Sequence, residues 1–181
     1  HLRTVDGRVY DMTEGVSMEE IRWGIIGCGN VCERKSAPAF NMVAGSRLVA
    51  VMRRNEALLK DFAQRHAVPK WYTDAGALLA DPQVNAVYIA TPPALHARFT
   101  IQALQAGKPV YVEKPMATSY RECLLMNQAS QAAGQPLYVA YYYRSLPYFQ
   151  RIRQLLQEGR IGTPISASLT HIIPPKPEDS D

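Results

Sequence analysis

The stretch at residues 25–32 constrains the fold most, because two glycines, Gly27 and Gly29, come directly after a short apolar run. A segment compatible with a helix begins at Val31. A strand, a glycine turn and a helix in this order are typical of dinucleotide-binding folds. In them the first glycine permits a tight turn, and the second lets the backbone approach a pyrophosphate at the helix N-terminus. The third small position is held by Cys32, which is small enough to let the helix lie on the strand.

Strand and helix patterns alternate along residues 21–142. Continuous apolar runs such as residues 86–90 are typical of parallel strands that are buried on both faces. The alternation predicts an α/β fold, a doubly wound parallel Rossmann sheet with strand order 3-2-1-4-5-6. Proline at position 38 predicts a break in the first helix near residues 36–38. The predicted strands are residues 22–27, 46–52, 70–72, 86–90, 109–112 and 137–140, and the later helices are residues 56–66, 75–80, 92–106 and 119–133.

The two ends of the chain differ from this pattern. Residues 1–20 lack apolar periodicity, and we expect an extension outside the fold, of vector or upstream origin. From residue 143 an amphipathic helix over residues 147–158 is followed by alternation of apolar and polar residues over 165–173, which predicts a half-buried antiparallel strand. We interpret residues 143–181 as the beginning of a second, α+β domain that is incomplete here.

Composition excludes several classes of function. The net charge is +4, but the basic residues are scattered and form no run longer than a pair, so we expect no nucleic-acid partner. No apolar run approaches the ~20 residues that span a bilayer, which predicts a soluble, cytoplasmic protein without a membrane partner. The 3 cysteines form neither a disulfide framework nor a zinc motif, so we expect no metal.

Two polar pairs lie at predicted strand ends. Arg53 and Arg54 end the second strand, where a carboxylate would bind the ribose of NAD and guanidinium groups can bind a 2′-phosphate. This favours NADP over NAD, although two exposed arginines would give the same pattern. Glu113 and Lys114 follow the fifth strand, at an edge where ligands of open α/β sheets bind. The lysine can act on a substrate hydroxyl, but the tripeptide is also common on surfaces.

His96 falls in the first turn of the helix after the fourth strand. On a helical wheel it lies on the apolar side with Leu95 and Phe99, opposite the polar stripe that contains Arg98 and Gln102. It therefore points inward near the strand end. A buried structural histidine and a catalytic histidine both fit this position.

Three motifs at this spacing resemble the Gfo/Idh/MocA family of oxidoreductases. They are Gly27-Cys28-Gly29-Asn30-Val31, Ala90-Thr91-Pro92-Pro93-x-x-His96 and Val112-Glu113-Lys114-Pro115. The resemblance covers residue 21 to about residue 173. It implies an NADP- or NAD-dependent enzyme that transfers a hydride between nicotinamide and a secondary alcohol or carbonyl of a sugar, cyclitol or related diol.

The resemblance also implies roles for individual residues. Lys114 would be catalytic, in a turn whose Lys114–Pro115 bond can be cis. A small-molecule substrate and a homo-oligomer formed through the second-domain sheet are implied as well. The residues implied at the cofactor, with the arginine pair added, are Gly27, Gly29, Asn30, Val31, Arg53, Arg54, Thr91, Pro92, His96 and Glu113.

Two departures from the family pattern leave an alternative open. Pro93 stands where the family often has asparagine, which removes an amide from the cofactor pocket. The family also has a catalytic Asp and His on a second-domain helix, and His171 lies before that helix would begin. A non-catalytic dinucleotide-binding module or sensor therefore remains the alternative. A Rossmann methyltransferase is disfavoured because no acidic residue ends the second strand.

Overall fold

A six-stranded parallel sheet forms the centre of the computed structural model, which describes residues 2–5, 8–11, 20–170 and 172. Its strand order is β5-β4-β3-β6-β7-β8, which confirms the predicted doubly wound order. The predicted strand limits hold to within one residue at either end. The strands are β1 (Leu2–Val5), β2 (Arg8–Asp11), β3 (Ile21–Ile26), β4 (Ser46–Met52), β5 (Lys70–Tyr72), β6 (Ala86–Ile89), β7 (Val110–Val112) and β8 (Leu137–Val139).

A helix follows each strand of the central sheet along the chain, and side-chain caps fix several of the helix N-termini. Asn55 accepts a hydrogen bond from the Leu58 N–H at 3.1 Å, and Asp74 accepts one from the Ala77 N–H at 2.9 Å. Such caps satisfy N–H groups that have no partner within the helix. The α-helices are α1 (Ala37–Met42), α2 (Glu56–Arg65), α3 (Ala75–Ala80), α4 (His96–Gln105), α5 (Tyr120–Ala133) and α6 (Pro147–Gln157).

The helix after β3 changes type where the proline predicted a break. Residues Cys32–Ser36 form a π-helical turn, and the Ala37 N–H bonds to the Cys32 carbonyl. The α-helical part then begins, with Pro38 in its first turn. A proline is tolerated there because its missing N–H would have had no helical partner.

The core lies on both faces of the sheet, because adjacent strand residues point to opposite sides. Ile25, Val51 and Tyr88 face one layer, which contains residues of α1 and α2. Ile26 and Ile89 face the other layer, which contains residues of α3, α4 and α5. Burial on both faces explains why these strands are continuous apolar runs rather than alternating ones.

The N-terminal strands β1 and β2 pair with each other in an antiparallel two-stranded sheet, separate from the central sheet. Residues 1–20 show no periodicity that would predict this pairing. We expected residues 1–20 to lie outside the fold, and that stays a prediction.

The chain divides into two compact units, His1–Ala140 and Tyr141–Asp181. In the second unit α6 forms as predicted and ends before Gly159, whose φ is 66°. Its apolar residues Tyr148, Ile152 and Leu156 are exposed.

The strand predicted over residues 165–173 is wrong for its described part. Residues 164–170 and 172 have no regular secondary structure, and Ile165 and Leu169 are almost fully exposed. A strand needs a neighbour for its N–H and C=O groups, and the described part of this unit contains no other strand. Residues 171 and 173 lie outside the described residues.

Candidate active site

A cavity of about 820 Å³ opens at the carboxyl ends of the central strands. It lies where the chain leaves β3 for β4 on one side and β6 joins β3 on the other. Ligands of open α/β sheets bind at such a switch point, and the volume is in the range of ligand pockets. The lining residues are Gly27, Cys28, Gly29, Met52, Arg53, Arg54, Asn55, Leu58, Thr73, Asp74, Ala75, Ala90, Thr91, Pro92, Leu95, Arg98, Phe99 and Gln102.

Gly27 turns the chain at the end of β3. Its φ is 93°, a value that side chains rarely adopt, and its N–H donates to the Met52 carbonyl at 2.9 Å. A Cβ at this position would lie 2.7 Å from Thr91 Cγ2 and 2.8 Å from Thr91 N. Glycine is therefore required here, both by the backbone conformation and by the close approach of Thr91.

The surroundings of Gly29 differ from those of Gly27. A Cβ built on it would meet nothing within 4 Å, although Gly29 lines the cavity. The space beside its backbone is open, and the helix starts here, because the Cys32 N–H donates to the Gly29 carbonyl at 2.9 Å. The N–H groups between Gly29 and Cys32 therefore have no partner within the helix. This arrangement fits a pyrophosphate, which needs close backbone approach and N–H donors.

The cysteines of the glycine loop are small packing residues, as predicted. Both are buried, and Cys32 Sγ lies 3.8 Å from the Gly27 carbonyl oxygen. Burial raises the pKa of Cys28 to about 11 and that of Cys32 to about 12. Both thiols are therefore protonated and unreactive at neutral pH.

Basic residues from two elements reach the cavity. Arg53 Nη1 donates to the Cys28 carbonyl at 3.3 Å, so this arginine holds the glycine loop, while Arg54 is exposed. Arg98 and Gln102 of α4 also line the cavity. Sequence reasoning placed these two on a polar stripe but missed their place in the site. The available signal was their position in the helix that begins at the carboxyl end of β6.

The turn that carries Lys114 follows β7, the strand next to β6. The Glu113 N–H donates to the Ile89 carbonyl at 2.9 Å, and Glu113 Oε2 accepts from the Lys114 N–H at 3.0 Å. The Lys114–Pro115 bond is cis, as the resemblance implies. The Lys114 side chain is exposed, so its amine is free to meet a ligand.

His96 connects this turn to the cavity loop. Its Nδ1 lies 2.8 Å from the Pro115 carbonyl oxygen, and its Nε2 lies 2.8 Å from the Thr91 carbonyl oxygen. The residue is only 1% exposed. The sequence was compatible with a buried structural histidine and with a catalytic one. The structure favours the first, a buried histidine that lies between two loops. It has little ring surface left for the direct cofactor contact that we predicted.

The cavity gathers a little over half of the residues predicted at the cofactor. Gly27, Gly29, Arg53, Arg54, Thr91 and Pro92 line it. Within the described part of the chain, Asn30, Val31, His96, Glu113 and Lys114 are not among the lining residues.

A charged network supports the helix after the glycine loop. Arg65 donates to both oxygens of Glu33 at 2.7 Å, and His66 Nε2 lies 2.9 Å from Glu33 Oε2. Hydrogen bonds from Arg65, followed by the one from His66, lower the pKa of Glu33 from 4.5 to about 2. The network ties the π-helical turn to the C-terminal end of α2.

No group of three or more His, Cys, Asp or Glu could hold a metal ion among the residues that the structure describes. None of the described helices is long and apolar enough to cross a membrane.

The fold and the cavity at its switch point are typical of nucleotide-binding α/β proteins, and a family comparison identifies the family. The sequence model of the oxidoreductase family with an NAD-binding Rossmann fold (GFO_IDH_MocA) matches residues 21–141. Since this is more than half of the chain, the chain belongs to that family. The resemblance inferred from the three motifs is confirmed.

Curated proteins with a similar sequence are named as oxidoreductases or dehydrogenases. An oxidoreductase from Formosa agariphila is 48% identical over 149 residues, which cover 82% of this chain and 46% of the relative. An inositol 2-dehydrogenase from Acidothermus cellulolyticus is 32% identical, with 87% of this chain and 46% of the relative covered. The chain thus spans a little under half the length of these curated relatives.

Solved structures share the fold. The WlbA dehydrogenase from Bordetella pertussis, crystallised with NADH and UDP-GlcNAcA, aligns with a TM-score of 0.76 at 28% identity, covering 82% of this chain and 42% of that one. A 3-ketoreductase from Actinomadura kijaniata, in complex with TDP-benzene and NADP, aligns with a TM-score of 0.71 at 29% identity, covering 77% and 42%.

Proposed function

We propose that this chain carries the cofactor half of an NAD(P)-dependent enzyme that moves a hydride between nicotinamide and a secondary alcohol or carbonyl of a sugar, cyclitol or related diol. The observation that carries the proposal is the cavity bounded by Gly27 and Gly29, with the Lys114 turn on the neighbouring strand. The bound dinucleotide would supply the hydride donor or acceptor. The named activities of the relatives support the substrate class.

The glycine loop would hold the pyrophosphate of the cofactor. The open space beside Gly29 is the feature that fits it, because Gly29 lines the cavity and a Cβ there would meet no atom within 4 Å. Thr91 and Pro92 would contact the same cofactor from the end of β6, where they already line the cavity.

Lys114 would act on the substrate oxygen. A positively charged or neutral amine beside a reacting hydroxyl can donate or accept the proton that accompanies hydride transfer. Lys114 is exposed and lies on a turn fixed at Glu113 and at Pro115. This combination of a fixed backbone and a free side chain suits an acid–base group.

We further propose that NADP binds in preference to NAD. Arg54 is exposed at the cavity and Arg98 reaches it from α4, while Asp74 is the acidic residue of the lining. The Asp74 carboxylate already accepts a hydrogen bond as the cap of α3. The guanidinium groups would pair with a 2′-phosphate, a contact that NAD cannot make.

We also propose residues 21–142 as the cofactor domain and residues 143–181 as the start of a substrate domain through which copies of the protein associate. A substrate wall that excludes water and orients the reacting carbon would have to come from the second domain. The exposed apolar residues of α6 fit a helix that a further domain covers.

Fluorescence titration of the full-length protein with NADPH and NADH tests the cofactor, and a panel of cyclitols, sugars and their keto forms tests turnover by nicotinamide absorbance. We expect NADPH to bind more tightly and at least one polyol or keto sugar to turn over. Binding without turnover across the panel would favour the non-catalytic module. Absence of binding to either cofactor would refute both readings.

A further inference from the structure

A chain of hydrogen bonds lies beneath the Lys114 turn, outside the cavity. Ser36 Oγ and Tyr88 Oη are 2.8 Å apart, and Tyr88 Oη lies 2.5 Å from Glu113 Oε1. The other carboxylate oxygen of Glu113 accepts from the Lys114 N–H at 3.0 Å. These hydrogen bonds therefore connect the π-helical turn after the glycine loop with the backbone of Lys114.

The direction of donation along this chain is determined. Glu113 as a carboxylate can only accept, so the Tyr88 hydroxyl donates to it. The Tyr88 oxygen is then left to accept from the Ser36 hydroxyl. Burial raises the pKa of Tyr88, and the Glu113 carboxylate raises it further, so the phenol keeps its proton.

Tyr88 is itself held firmly. It is 1% exposed, and its ring packs against Phe40 and Tyr111 with centroid distances of 5.3 and 5.5 Å. Glu113, by contrast, is partly exposed. Without the phenol, its carboxylate would be free to turn towards water, because only the bond from the Lys114 N–H would restrain it.

We propose that Tyr88 is a positioning residue, which orients Glu113 and through it fixes the backbone of Lys114. The proposal rests on the catalytic role proposed for Lys114. Among the hydrogen bonds of the described residues, the phenol has Ser36 and Glu113 as partners, and neither of these lines the cavity, while His96 lies against the same turn at Pro115.

The test replaces Tyr88 by phenylalanine in the full-length protein. This change removes one hydroxyl and keeps the ring that packs in the core. Tyr111→Phe is the matched control, since it removes a hydroxyl from the same aromatic cluster without touching the chain of hydrogen bonds. Ser36→Ala is the second test variant, because it removes the donor to Tyr88 and leaves Tyr88 and Glu113 in place.

Amide hydrogen exchange, measured residue by residue by NMR, reads out the position of Lys114 directly. We expect the Lys114 amide to exchange about tenfold faster in Tyr88→Phe, the effect of one lost hydrogen bond. Ser36→Ala should give a smaller increase, and Tyr111→Phe none. Unchanged Lys114 exchange in Tyr88→Phe would overturn the proposal, as would equal acceleration throughout β6 and β7.

Kinetics separate positioning from a general structural effect. With a substrate that the wild type turns over, we expect kcat of Tyr88→Phe to fall about tenfold or more while the NADPH dissociation constant stays within about twofold. A parallel loss of NADPH affinity would overturn the proposal. The exchange measurement needs neither cofactor nor substrate, so failure of the proposed enzymatic function would appear separately, as a wild type without cofactor binding or turnover.

Discussion

Substitution by alanine should have different effects at the two glycines of the glycine loop. At Gly27 it should lower the stability of the protein, and at Gly29 it should lower the affinity for NADPH. Gly27→Ala introduces a Cβ at φ 93°, a conformation that costs an L-residue roughly 1–2 kcal/mol. The new atom would also lie 2.8 and 2.9 Å from Thr91 N and Cα, which are backbone atoms and cannot rotate away. Overpacking of this kind costs about 1–3 kcal/mol. The sum is a loss of about 2–5 kcal/mol in the free energy of unfolding.

Gly29→Ala has neither source of strain. Gly29 is not among the positive-φ glycines, and its Cβ would meet nothing within 4 Å. The free energy of unfolding of the Gly29→Ala variant should therefore differ from that of the wild type by less than about 1 kcal/mol. Alanine restricts the unfolded chain, which acts in the stabilising direction. The Cβ would nevertheless enter the cavity where we place the pyrophosphate, so NADPH affinity should fall at least about tenfold.

Urea denaturation and NADPH titration of both variants, beside the wild type, measure the two quantities independently. Gly27→Ala should unfold at lower urea concentration, whereas Gly29→Ala should unfold like the wild type and bind NADPH poorly. A fully stable Gly27→Ala would show that Thr91 yields easily. A Gly29→Ala variant with wild-type affinity would show that the pyrophosphate lies elsewhere.

Three further substitutions test the cofactor preference, the role of Lys114 and the charged network at Glu33. Arg54→Ser should weaken NADP binding about tenfold or more and leave NAD binding within about twofold by calorimetry, with Arg47→Ser, which lies within β4 and not at the cavity, as the control. Lys114→Ala should lower the hydride-transfer rate by about two to four orders of magnitude at nearly unchanged cofactor affinity. Glu33→Gln should remove about 1–2 kcal/mol of stability at neutral pH, because the pKa of Glu33 is lowered from 4.5 to about 2 in the folded protein. That difference should vanish as the pH falls from 4.5 towards 2, where the wild-type carboxylate is protonated.

The sheet was predictable because its determinants are local. Strands such as β6 are short apolar runs, and glycine, proline or a capping residue separates them from the helices. The order of the strands then follows from the general rule for alternating strands and helices. The strand predicted over residues 165–173 failed in its described part for the opposite reason, because alternation describes a half-buried strand only beside a neighbouring strand, and the described part of the second unit has none.

The site was predictable only in part. The glycine loop and the Glu113–Lys114 turn are contiguous motifs, and sequence reasoning found both. Arg98 at the cavity and Tyr88 beneath the turn depend on tertiary structure. Tyr88 pairs with Tyr111 across β6 and β7, which brings its hydroxyl within 2.5 Å of Glu113 although the two residues are 25 positions apart.

The segment over residues 88–96 links the two halves of the site. It holds the Lys114 turn at two points, since Tyr88 acts through Glu113 and His96 bonds to the Pro115 carbonyl. The same segment supplies Thr91, whose backbone packs on Gly27 and whose carbonyl oxygen lies 2.8 Å from His96 Nε2. Loops that are connected in this way cannot move independently, which favours a preorganised arrangement of cofactor and lysine. A change at His96 should therefore disturb both the cavity and the lysine turn, whereas loss of the Tyr88 hydroxyl removes hydrogen bonds to Ser36 and Glu113, neither of which lines the cavity.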